Sequence, residues 1–125
     1  MSHRKCARDF GVVLFLIGFL SCIPGLVSDS MFLGLFHVNG ATNALHIVTG
    51  LIGFGVSRLD SLASKASKFF FQIFGLIYGV FAVLGFGYGD ANVLDYFANN
   101  MGNTWLHLGA ALLSLYLGFL YKPEK

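Results

Sequence analysis

Charge is scarce in this chain. Asp, Glu, Lys and Arg together make up 11% of its 125 residues, against about 25% in an ordinary soluble domain. Hydrophobic residues make up 56%. A water-soluble fold of that composition would leave large apolar areas exposed and would aggregate, so lipid is the natural solvent. A net charge of +2 lacks the basic footprint of a nucleic-acid-binding protein. Cysteine is sparse too: Cys6 lies in a basic amino-terminal tail and Cys22 inside an apolar run, different surroundings that argue against a mutual disulfide. Catalytic constellations are also missing. No Ser or Cys nucleophile stands beside a His, no glycine-rich loop has phosphate-binding spacing, and no two carboxylates share an apolar run. These absences point to a protein that is not an enzyme.

What is present is four apolar stretches free of Lys and Arg: Phe10 to about Val27, about Gly40 to Ser57, Phe69 to about Gly87, and about Asn103 to Tyr121. About 20 residues of helix cross a hydrocarbon core of roughly 30 Å, so each is near spanning length. The first has the basic lead of a signal peptide (Arg4, Lys5, Arg8), but it also forms half of the repeat described below and is read as a retained helix. The basic residues fall in the amino tail, in the loop between spans two and three (Arg58, Lys65, Lys68), and in the carboxy tail (Lys122, Lys125). The other two loops carry Asp29, Asp90 and Asp95 and no cation. Short cytoplasmic loops hold the excess of Lys and Arg, so both termini are expected in the cytoplasm and the acidic loops outside.

Sliding the chain on itself by 61 residues pairs Asp29 with Asp90, Asn39 with Asn100, and Leu45-His46 with Leu106-His107, along with Gly18 and Gly79. Shared Leu or Phe is common by chance in apolar sequence; matched Asp, Asn and His at one offset is not. The reading is a single integral membrane domain over residues 1–125. It is an all-α, four-helix transmembrane bundle of two tandem pseudo-symmetric hairpins, repeat one about 10–57 and repeat two about 71–118, related by an axis along the membrane normal. In each repeat a short apolar segment (Met31 to Val38, Val93 to Ala98) is expected to form an interfacial helix in the outer loop, with Asp29 and Asp90 as its N-caps. Asn39 and Asn100 suit the turns that start the returning helices.

Helical spacing puts Asn39, Asn43, His46, Gly50, Gly53 and Ser57 on one face of span two, with Thr49 beside it. Asn100, Thr104, His107, Ala111, Ser114 and Gly118, with Asn103 alongside, line span four. In lipid, small residues let helices approach and polar ones bond across the contact, so both stripes are expected to face inward. Ionisable groups inside a membrane are functional candidates, which singles out His46 and His107. Three readings of them are open: a hydrogen-bonded structural pair, an axial ligand pair for haem iron or chlorophyll magnesium, or a divalent metal site completed by His37. Trp105, Tyr88, Tyr96, Tyr116 and Tyr121 fit interfacial aromatic belts.

The run Leu33-Gly34-Leu35-Phe36-His37-Val38-Asn39, the following Asn43-Ala44-Leu45-His46, and the later Asn103-Thr104-Trp105-Leu106-His107 resemble a known group of small bacterial membrane proteins, the domain of unknown function 4383 family. The last motif departs from the family's Asn-x-x-His by one residue unless Thr104 takes the Asn place. The resemblance covers nearly the whole chain; it implies four membrane helices and no assigned activity. The composite expectation is a structural or accessory component of a membrane assembly, partnered by the bilayer and by copies of itself or other membrane subunits. The alternative is a haem- or chlorophyll-binding subunit.

Overall fold

The computed structural model describes residues 1–123; Lys125, counted above among the cations of the carboxy tail, lies outside them. Helix α1 spans His3–Leu20. It starts in the basic tail, well before the apolar run, because the Ser2 hydroxyl accepts the Lys5 N–H at 3.1 Å and satisfies one of the free donors of the first turn. It also ends before Val27, the expected limit: the Ser21 hydroxyl folds back onto the Ile17 carbonyl at 2.6 Å, and a tight turn at Pro24–Leu26 follows.

The loop after α1 departs from expectation. Strands β1 (Val27–Ser28), β2 (Met31–Phe32) and β3 (Phe36–His37) pair antiparallel in that order. The register of Val27 with Phe32 and Ser28 with Met31 leaves Asp29 and Ser30 as a two-residue turn, with φ of 51° and 61°. Two successive left-handed residues match the tight hairpin turn whose twist suits paired strands. Asp29 is thus a turn residue, not a helix cap, and Met31 to Val38 sends its backbone bonds across strands rather than along a helix. The loop before the last helix is corrected likewise. Asp90 sits exposed in the turn after Gly89, and a single bridge between Val93 and Phe97 stands where the second interfacial helix was expected. Leu94 and Asp95 there have φ of 55° and 56°, which a helix cannot contain.

Helices α2 (Gly40–Val56) and α4 (Met101–Leu115) open on matching caps. The Asn39 and Asn100 carboxamide oxygens accept the N–H groups of Thr42 and Asn103, both at 2.9 Å. Between them runs α3 (Ala63–Tyr88). Past Leu115 the last helix continues in a wider turn, Tyr116–Leu120. Carbonyls there accept from other helices: His3 Nε2 donates to Leu117 and Gln72 Nε2 to Gly118, each at 2.8 Å. Two helical stretches, Asp60–Tyr88 and Met101–Leu120, are long and apolar enough to cross a membrane. Helix α2 has 17 residues, and the first turns of α1 carry Arg4, Lys5, Arg8 and Asp9.

Glycine sets the helix contacts. A Cβ at Gly50 would lie 2.5 Å from the Phe15 nitrogen and 2.6 Å from the Gly11 oxygen, so α1 and α2 touch backbone to backbone. On the other side a Cβ at Gly75 would lie 2.8 Å from Leu115 Cδ2. Two buried apolar clusters join α1 to the α3–α4 side: Ala7 with Phe70, Phe71 and Leu117, and Leu14 with Tyr78, Ala110 and Ala111.

A buried histidine pair as the candidate functional site

Helix α2 presents a polar face because its polar residues recur at three- and four-residue spacing. Asn43, His46, Gly50, Gly53 and Ser57 are all buried, and so is Thr49 on the adjoining edge. The face of α4 opposite carries buried Asn103, Thr104, His107, Ala111 and Ser114. At the centre His46 Nε2 lies 3.3 Å from His107 Nε2, with the ring centroids 5.5 Å apart and the planes tilted by 58°. Each histidine is only 3% exposed. A hydrogen bond between two ring nitrogens needs opposite roles, so one imidazole carries its proton on Nε2 and the other on Nδ1. Both Nδ1 atoms are buried with no partner among the described residues.

Helix α3 supplies the walls. Tyr78 is fully buried and nearly parallel to His46, at 10° with centroids 6.4 Å apart; its ring centroid lies 5.4 Å from that of His107. Phe81 stands 5.6 Å from His107 on the other flank. The Tyr78 hydroxyl donates to Thr49 Oγ1 at 3.0 Å, and Thr49 donates to the Leu45 carbonyl at 2.7 Å. The pair is therefore enclosed by aromatic rings and a short hydroxyl chain. Chemically it can tie two helices together and hold one shared proton.

Toward the loops that precede α2 and α4, polar side chains cross between the halves. Asn39 Nδ2 donates to the Tyr96 carbonyl at 2.9 Å, and Asn100 Nδ2 to the Leu35 carbonyl at 3.2 Å. Thr42 donates to Ala98 O at 3.4 Å, and Asn103 Nδ2 to His37 O at 2.7 Å. Each bond of a pair becomes the other under the 61-residue shift, and the His46–His107 contact, itself 61 residues apart, maps onto itself. Asn43 reaches the end of α1 instead, donating to Ser21 O at 3.3 Å. Thr104 Oγ1 donates to Asn99 Oδ1 at 3.2 Å.

His37 is not part of the central pair. Its Nδ1 faces the Asn99 carbonyl at 3.3 Å, and no group of three His, Cys, Asp or Glu side chains is arranged to hold a metal among the described residues. His37 therefore bonds apart from the two histidines that the metal reading grouped it with. Sequence reasoning missed Tyr78, Asn99 and His3. Tyr78 had a usable signal, a hydroxyl well inside a long apolar run. Asn99, whose Nδ2 donates to the Gly85 and Gly89 carbonyls at 3.2 and 2.8 Å, was hidden beside the more regular Asn100. His3 reads as part of a solvated tail until its partner Leu117 is known.

A family model described as Domain of unknown function (DUF4383) matches residues 4–120. No curated protein and no solved structure matches the chain.

Proposed function

Because this chain belongs to the DUF4383 family, whose description assigns no activity, we propose its role from physical chemistry. It is a multi-pass membrane protein without catalytic activity, a structural, accessory or self-associating component of a membrane assembly. It is built as two tandem hairpins whose polar faces meet at His46 and His107. The observation that carries this reading is an inverted distribution of polarity. Val83 is 73% exposed, Leu120 71% and Leu51 56%, while Thr49 and Thr104 are 0% exposed and His46 3%. Water would favour the reverse. Lipid favours this one, since polar groups in a bilayer must find partners inside the protein.

The reciprocal bonds Asn39–Tyr96 and Asn100–Leu35 support the duplicated hairpin. The clustering of Arg4, Lys5, Arg8 and Arg58 around one pocket, away from the Asp29 and Asp90 loops, supports cytoplasmic termini. The alternative of haem or chlorophyll on His46 and His107 requires the two imidazoles to part, because at 3.3 Å no macrocycle fits between them. The contact as it stands favours the structural pair.

The test is native mass after gentle extraction of membranes with a nonionic detergent. The protein is expected to run as a multimer or with other membrane proteins and to lack a visible absorption band. A lone monomer contradicts the assembly role, and a porphyrin or chlorin band restores the alternative.

A further inference from the structure

Where α1 begins and α2 ends, a pocket of about 200 Å³ is lined by Ser2, Arg4, Lys5, Arg8, Ser57 and Arg58. Four of these six residues are cations. One of them, Arg8, is paired through Nε with Asp9 at 2.9 Å. Arg4 Nε donates to the Ser57 carbonyl at 2.7 Å, which ties its guanidinium to the end of α2. About one helical turn farther along the same α1–α2 seam, the lining becomes wholly apolar. Val12, Phe15 and Leu16 face Leu51 and Phe54 across a groove of about 230 Å³ floored by Gly11 and Gly50. Most of these side chains are exposed.

A cationic pocket continued by an open apolar groove matches one molecule with a charged head and a hydrocarbon tail. We propose that the α1–α2 seam binds an anionic phospholipid of the inner leaflet. Its phosphate sits among Arg4, Lys5, Arg8 and Arg58, and one acyl chain lies along the groove between Val12 and Phe54. Arginine suits this task because its planar donors meet phosphate oxygens in pairs. A zwitterionic headgroup gains less, since its own cation meets four others. The seam's length supports the assignment: pocket and groove run from Ser2 to Leu16 along α1, roughly 20 Å at 1.5 Å per residue. This proposal rests on the membrane-spanning reading above.

The experiment is native mass spectrometry of the detergent-solubilised protein titrated with phosphatidylglycerol or phosphatidylcholine. The wild-type chain is expected to hold phosphatidylglycerol at least tenfold more tightly, with about fivefold lost for each pocket cation removed. The variants are Arg58→Gln and the triple Arg4→Gln/Arg8→Gln/Arg58→Gln. A Lys65→Gln/Lys68→Gln chain, altered on the first turns of α3 outside the pocket, should retain the preference. Equal binding of the two lipids overturns the proposal. So does an equal loss in the Lys65/Lys68 variant, which indicates a diffuse inner charge, or displacement by millimolar inorganic phosphate, which indicates a soluble-anion site. Should the triple variant elute as aggregate, the single Arg58→Gln chain decides. Alkaline carbonate extraction of membranes separates the two levels. A protein released by carbonate defeats the membrane reading itself, whereas one retained but indifferent to lipid charge defeats only the lipid site.

Discussion

Helix α2 is held on its two sides by opposite means. Against α1 it uses absence: Gly50 and Gly53 let the backbones touch near Gly11, and the gain is close packing. Against α4 it uses chemistry: His46 meets His107, and Thr42 and Asn103 reach across to opposing carbonyls. Under the membrane role proposed above, the hydrophobic drive between helices vanishes in lipid, where tails are as apolar as Leu, so packing and hydrogen bonds are the glue that remains. The comparison teaches that one helix can divide the two, intimate backbone contact toward α1 and polar side chains toward α4.

Several substitutions would break or sharpen that division. The largest effect is expected on the glycine side. Gly50→Val places carbon where Phe15 and Gly11 backbone atoms already stand, so α1 and α2 must separate, at a cost of about 3 kcal/mol or more. Thermal unfolding in mild detergent would read it; an unchanged midpoint would mean that the helices do not touch there. The polar side should be next. His46→Leu leaves His107 Nε2 buried without its partner and should cost about 1–2 kcal/mol. The double His46→Leu/His107→Leu chain should cost less than the two single losses added together, because it strands no partner. Strict additivity in that cycle would show that the rings do not interact. The caps come third. Asn39→Ala and Asn100→Ala should each lose about 1 kcal/mol and match each other closely, since their bonds are reciprocal; a large inequality would break the equivalence of the two halves. Smallest is Gly55→Ala: an added Cβ there meets nothing within 4 Å, so the change should stay within about 0.5 kcal/mol.

The residues that could be read from the sequence are those whose role depends on periodicity. His46 and His107 repeat at a fixed offset and fall on helical stripes with Asn43, Thr49 and Thr104, so both their inward direction and their mutual approach followed from spacing alone. Asp29 could not be read that way. An Asp before an apolar segment suits a helix cap and a hairpin turn equally, and the choice depends on β2 finding β1 and β3 as partners, a pairing that period-based reading does not reach. The limits of α1 were misplaced because hydropathy marks where lipid would begin, whereas Ser2 and Ser21 mark where hydrogen bonding starts and stops the helix. Tyr78 was passed over because it looks like any aromatic of an apolar run until His46 is found lying parallel to its ring.

The distance between His46 and His107 is the most direct test. Solid-state NMR of the ¹⁵N-histidine-labelled protein in lipid bilayers would detect a contact between the two Nε2 nitrogens. The arrangement predicts a cross-peak consistent with 3.3 Å, with one ring protonated at Nε2 and the other at Nδ1. Two imidazoles without mutual contact, each relaxing against acyl chains, would contradict it.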